Sequence, residues 1–256
     1  MSVPLGDVRL FGSLDSTNRY LLAEAEGLPD GLVVVADHQR AGRGRLGRTW
    51  ESPPGSSLLA SVLLRPALAP TELHLCSLAV ALAACRACEV AAGVEPWLKW
   101  PNDLVVADRK LAGVLAESVP GVQGAEPALP TVVVGVGINV DWPGPQGAGG
   151  ACLRELAGRA VDRLGLLFAL LASLAPLRAD LDRPGGRAAL VAAGRARCAT
   201  LGRLVVVDTG AGMVEGRAVD LTDEGHLVVA TPAGHREVAA GDVVHVRPGR
   251  TSPQGG

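Results

Sequence analysis

Gly42-Arg43-Gly44-Arg45-Leu46-Gly47-Arg48-Thr49-Trp50 lies early in this 256-residue chain, with Arg40 just upstream. Four arginines within residues 40–48 are too many to be neutralised inside the loop itself. Its glycines leave the backbone free to approach a ligand, so an anion could recruit both guanidinium and N–H groups. The plainer alternative is a solvated basic surface loop. A P-loop would end in Gly-Lys-Ser/Thr. A dinucleotide fingerprint would run on into a helix, which Trp50-Glu51-Ser52-Pro53-Pro54 cannot do. Just outside the loop, the apolar runs Leu32 to Ala36 and Leu58 to Leu64 read as buried strands that deliver and receive it.

Further outward, Asp7 to Leu14 offers a short strand, and Asp15-Ser16-Thr17 caps a helix from Asn18 to about Glu26. Pro70-Thr71 starts a long helix that Gly93 ends. Glu95 to Trp100 and Leu104 to Ala107 form a strand pair around Pro101-Asn102-Asp103, and Leu111 to Glu117 and Thr131 to Val140 complete a mixed set of strands. A Gly/Pro loop, Pro143 to Gly150, precedes helical pattern over Leu153 to Asp182 and Arg187 to Ala193. From Arg195 the period changes to short strands: Leu204 to Val207, Val214 to Leu221, His226 to Ala230, Arg236 to Val238 and Val243 to Val246. The pattern predicts an α+β protein. Residues 1–194 form a mixed β-sheet flanked by helices, residues 195–248 a small β-barrel, and residues 249–256 a disordered tail.

Composition narrows the function. A net charge of -2 and a sequence pI near 6.2 argue against a general polyanion binder, so any basic patch is local. Five cysteines at irregular spacing fit reduced thiols and a cytoplasmic location, and the start of the chain shows no secretory pattern. The apolar run Leu73 to Ala92 is interrupted by His74, Ser77, Arg86 and Glu89, which favours a buried helix over a membrane span. Cys85 and Cys88 have the spacing of a zinc or redox pair but no second pair, and read as small helix residues. Of 24 basic residues only Lys99 and Lys110 are lysines, and the only asparagines are Asn18, Asn102 and Asn139. All five fall in or beside the segments considered next.

The arginine loop resembles the GRGRxGRxW biotin-binding loop of biotin protein ligases. Five other segments match that family in order: Ser16-Thr17-Asn18, His38-Gln39, Lys99-Trp100-Pro101-Asn102-Asp103, Arg109-Lys110-Leu111-Ala112-Gly113, and Gly135-Val136-Gly137-Ile138-Asn139. The resemblance implies a biotin/lipoate ligase-like catalytic domain followed by an SH3-like β-barrel. It also implies that Ser16, Thr17, Asn18 and Gln39 bind the ureido head of biotin, with Arg43, Gly44 and Arg45 covering the ligand. Short side chains of both donor and acceptor type suit a buried neutral head group. Capping is the plainer role for Ser16 and Thr17, and both roles can coexist.

By the same resemblance Lys110 is the catalytic lysine at the biotin carboxylate and α-phosphate, aided by Arg45. Arg48, Trp50, Asn102 and Asn139 are the ATP-side contacts, with Trp50 stacked on adenine, whereas core burial is the plainer reading of Trp97, Trp100 and Trp142. Asp103 either orients or accepts a proton from an attacking lysine, or merely caps the Pro101 turn. The implied reaction uses biotin and Mg·ATP to form biotinoyl-5′-AMP, then biotinylates a lysine of a biotin carboxyl carrier protein. Metal ligands are not identifiable from the sequence, and a homodimer stays open. A lipoate or octanoyl transferase of the same fold would lack the arginine loop. A DNA-binding repressor would need a helix-turn-helix domain, for which the fifteen residues before Ser16 are too few, so neither DNA nor a membrane is expected as a partner.

Overall fold

The computed structural model describes residues 7–119 and 129–245. Seven strands form the larger sheet: β1 (Val8–Phe11), β2 (Val33–Ala36), β3 (Ser57–Leu64), β4 (Trp97–Lys99), β5 (Asp103–Val106), β6 (Arg109–Val119) and β7 (Thr131–Asn139). Their order is β1-β2-β3-β7-β6-β5-β4, with β1 parallel to β2 and every other pairing antiparallel.

Alternation along β3 and β7 divides the sheet into two faces. Leu58, Ala60, Val62 and Leu64 with Val132, Val134, Val136 and Ile138 are buried in the main core beneath α2 (His74–Ala92) and α4 (Arg163–Asp182). On the other face Leu63 and Val133 pack with Leu21 of α1 (Thr17–Ala23). Ser61, Gly135, Gly137 and Asn139 share that second face, so a small, polar patch interrupts an otherwise apolar layer.

The helix boundaries follow local chemistry. Ser16 caps α1, its side chain accepting from the Arg19 N–H. Gly93, at φ 68°, ends α2, as its N–H bonds to Glu89 and that of Val94 to Cys88. The single helix expected over Leu153 to Asp182 is two, α3 (Leu153–Ala157) and α4. Gly158 at φ 65° closes the first, and the Asp162 carboxylate caps the second through Leu164 and Gly165. Helix α5 (Gly186–Ala196) leads to the second sheet.

That sheet is antiparallel, in the order β11-β10-β9-β8-β12, from β8 (Leu204–Asp208), β9 (Met213–Leu221), β10 (Leu227–Thr231), β11 (Gly234–Val238) and β12 (Asp242–His245). Trp100 joins its apolar core, and the indole Nε1 donates to Gly225 while the Trp100 N–H donates to Thr200 Oγ1 at 3.0 Å. Of the other tryptophans assigned to the core, Trp97 is exposed and Trp142 half-buried. All five cysteines are buried and unpaired, and burial pushes the Cys76 and Cys85 thiols up to about 12. The expected tail, 249–256, and Val246 lie outside the described residues.

Candidate active site

The arginine loop forms a narrow hairpin. Trp50 donates its N–H to the Gly42 carbonyl at 3.0 Å, and Gly44 to that of Arg48 at 2.7 Å. A Cβ on Gly42 would stand 2.3 Å from the Trp50 carbonyl oxygen, so only glycine fits. Leu46 (φ 54°) and Gly47 (φ 74°) turn the tip.

The loop's charges are met after all, by partners brought from distant segments. Arg40 pairs with Asp15 at 2.8 Å, Arg43 with Glu117 at 2.9 Å, and Arg48 with Asp242. Among the described residues the acceptors of Arg45 are neutral, Asn102 Oδ1 and the Gly241 carbonyl, both at 3.1 Å. Burial lowers the Arg45 pKa, whereas the hydrogen bond to Asp242 raises that of Arg48.

Twelve of the thirteen expected site residues line one cavity of about 120 Å³: Ser16, Thr17, Asn18, Gln39, Arg43, Gly44, Arg45, Arg48, Trp50, Asn102, Asp103 and Lys110. At one end short polar side chains meet the Arg43–Glu117 ion pair. The Thr17 N–H donates to Gln39 Oε1 at 2.8 Å, and Asn18 Nδ2 donates to the Leu115 carbonyl and to Glu117. At the other end stand Arg45, Arg48 and Lys110. Asn102 bridges the walls, donating to the Val114 carbonyl at 2.8 Å while accepting from Arg45.

Between the ends lies Trp50. Its ring sits over glycines of β6 and β7, and a Cβ on Gly137 would stand 2.6 Å from the indole, one on Gly113 3.1 Å. The indole Nε1 is buried without a hydrogen-bond partner among the described residues. Asn139, the thirteenth residue, opens instead onto a second cavity of about 260 Å³ on the far side of Trp50, shared with Lys110 and the loop residues Pro143 to Gly150. Trp50, with Thr49 and Lys110, thus lines both spaces.

Lys110 Nζ is 2.7 Å from Asp103 Oδ1 and 5.7 Å from the centre of the Trp50 ring. Asp103 opens β5, so the turn position and the contact with Lys110 coincide in one residue. Lys99 lines neither cavity; it lies beside Trp100 and Cys198. Sequence reasoning missed Ser61, Glu117 and Asp242, whose residue types carry no motif. Gly113 lies within a quoted segment, but its role as floor beneath Trp50 needed the strand register. No cluster of three or more His, Cys, Asp or Glu side chains that could hold a metal occurs among the described residues. The cavity's carboxylates are Asp103 and Asp242, each already paired with a cation.

Comparison with known proteins identifies the family. Residues 10–139 match the Biotin/lipoate A/B protein ligase family and residues 200–246 the Biotin protein ligase C terminal domain. The biotin--[acetyl-CoA-carboxylase] ligase of Paracoccus denitrificans is 36% identical, covering 90% of this chain and 96% of its own. The bifunctional ligase/repressor BirA of Bacillus spizizenii is 30% identical over 84% of this chain, which spans 66% of that protein's length. The biotin protein ligase from Aquifex aeolicus, solved in complex with biotin and ATP, superposes with a TM-score of 0.78 at 27% identity, covering 94% of this chain and 99% of that one.

Proposed function

The chain belongs to the biotin/lipoate A/B protein ligase family, and on that premise we propose that it is a biotin protein ligase, activating biotin with ATP and passing it to a carrier lysine. One observation carries this reading. A cavity with short hydrogen-bonding side chains at one end and Arg45, Arg48 and Lys110 among its lining shares Trp50, with Thr49 and Lys110, as a wall with a second cavity.

Biotin lies with its ureido head at Ser16, Thr17 and Gln39 and its carboxylate toward Lys110. ATP takes the far side of Trp50, its base near Asn139 and its phosphates toward Arg45 and Arg48. In the first step a biotin carboxylate oxygen bonds to the α-phosphorus while the bond to pyrophosphate breaks. Two anions must be held together, and Lys110, Arg45 and Arg48 offset their repulsion in a partly desolvated cleft. In the second step the carrier amine bonds to the acyl carbon, AMP leaves, and the amine loses its proton. Asp103 is the carboxylate placed to receive it, and meanwhile it holds Lys110 in position.

Magnesium fits this donor set only in company with the nucleotide. The ion typically takes one or two carboxylates plus phosphate oxygens, and Asp103 and Asp242 are the two at hand. It supplies further charge neutralisation at the triphosphate. Five buried, unpaired thiols support a cytoplasmic location. Incubating the protein with ATP, biotin and a biotin carboxyl carrier domain should add one biotin mass to the carrier. Lipoate in place of biotin should add nothing, and a carrier left unmodified by biotin would overturn the reading.

A further inference from the structure

Behind the residues at the Thr17 end of the cavity runs a chain of hydrogen bonds whose direction is fixed at Asn18 by the Leu115 carbonyl and Glu117 together. Asn18 is 3% exposed, and its Nδ2 donates to the Leu115 carbonyl at 3.2 Å and to Glu117 Oε2 at 2.9 Å. A carbonyl and a carboxylate only accept, so the amide cannot be reversed, and its Oδ1 faces Ser61 Oγ at 2.6 Å. The Ser61 proton therefore goes to Asn18.

That choice propagates. Ser61 Oγ is also 2.6 Å from Thr17 Oγ1, and a hydroxyl that has given away its one proton can only accept there. The Thr17 proton then goes to Ser61. Thr17 Oγ1 is 3.0 Å from Gln39 Oε1, which already accepts the Thr17 N–H. Four oxygens, from Gln39 through Thr17 and Ser61 to Asn18, make three contacts with two hydroxyl protons. The contact left without a proton is the longest, between Gln39 and Thr17, and both residues line the cavity.

We infer that Glu117, acting through Asn18 and Ser61, is a positioning residue that holds Thr17 Oγ1 and Gln39 Oε1 as paired acceptors for an N–H donor of the ligand. The inference rests on the biotin reading above, since the ureido ring supplies such N–H groups. The other Glu117 oxygen, Oε1, binds Arg43 at 2.9 Å, so one carboxylate sets both the polarity of the head pocket and the root of the arginine loop. Ser61, 1% exposed, and Asn18 are relay members and need not touch ligand. An unpaired acceptor buried beside another acceptor is costly until a donor arrives, which favours a ligand that brings one.

The test is Glu117→Gln. Glutamine can still accept from Arg43, but its amide then presents a donor to Asn18 Nδ2, so that only the Leu115 carbonyl, at 3.2 Å, still holds the Asn18 orientation, and both hydroxyls reverse whenever Asn18 turns over. Calorimetric titration with biotin should show affinity lower by roughly 10- to 100-fold, while KM for ATP and Tm stay at wild-type values. Unchanged biotin affinity would overturn the inference. So would a parallel loss of biotin affinity, ATP affinity and Tm, which marks a merely structural residue. Should Glu117→Gln fail to fold, Ser61→Ala is read for the same split with the same outcomes. A wild-type protein that does not bind biotin would instead defeat the functional reading.

Discussion

Lys110 reaches Asp103 because of a β-bulge. Asp103 pairs with Gly113 and Val105 with Lys110, so four residues of β6 oppose three of β5, with the shift between Leu104 and Val105. In a regular strand residues 110 and 113 would point to opposite faces. The inserted residue turns Lys110 onto the face that holds Gly113, Trp50 and the cavity.

Lys110→Ala is expected to lower biotin-dependent pyrophosphate exchange by roughly 10²- to 10³-fold, the scale of losing one preorganised charge at a developing anion. The ammonium is well exposed, so removing its contact with Asp103 costs only about 0–1 kcal/mol of stability. Lys110→Arg should also be poor, because a planar fork replaces a compact charge. Near-normal exchange in folded Lys110→Ala would remove the lysine from the mechanism.

Gly137→Ala puts a methyl group where the Trp50 ring lies, 2.6 Å from the indole. The ring must lift, at a cost of about 1–3 kcal/mol for an overpacked site. Since Trp50 walls both cavities, KM should rise for biotin and ATP alike, with a shift in tryptophan emission. Unaltered constants for both substrates would show that the ring is free to move without consequence.

The arginine loop is tethered by ion pairs at Asp15, Glu117 and Asp242, not left to repel itself. Arg40 and Arg48 are largely exposed, so salt should screen their pairs and loosen the loop. Tryptic cleavage within residues 40–48 is expected to speed up as salt is raised, and to be faster in Asp242→Asn than in wild type at low salt. Bound biotin and ATP should slow it in both proteins. Cleavage indifferent to salt and to Asp242 would mean the tethers do not hold the loop.

His245 gives a pH dependence of stability. Burial first, then Lys99 and Arg203, lowers its pKa from 6.5 to about 4, against the opposite pull of Asp108. The unfolded chain then binds more protons than the folded one between those values. Stability is therefore complete above pH 6.5 and falls as the pH drops toward 4. Allowing for partial exposure, the loss is on the order of 1–2 kcal/mol. Calorimetry should find that wild type loses more Tm between pH 7 and pH 4.5 than His245→Asn does. Identical pH curves would exclude this histidine as the responsible group.

Much of the architecture was legible because strand and helix periods were clean where burial was strong. Leu32 to Ala36 and Leu58 to Leu64 fall within one residue of β2 and β3. The break at Gly158 was not legible, since apolar residues continue across it and only the left-handed conformation of that glycine divides α3 from α4. Site residues carried by motifs could be read in one dimension. Glu117 and Ser61 could not, because their partners lie 99 and 44 residues away. The placement of Lys110 was likewise beyond sequence logic, as the bulge that turns it inward leaves no mark on hydrophobic alternation. The arginine partners were missed for the same reason: Asp242 meets Arg48 across 194 residues.

Two family models divide this chain as though it were assembled from separable parts, yet the tip of the arginine loop belongs to neither alone. Arg45 is held by the Gly241 carbonyl and Arg48 by Asp242, both beside β12. Cutting the chain before residue 200 would keep every strand of the larger sheet, take the carboxylate from Arg48 and leave Arg45 with Asn102 alone. The seam between the modules therefore runs through the candidate site, and a C-terminal module exchanged from another protein would have to bring that carbonyl and that carboxylate with it.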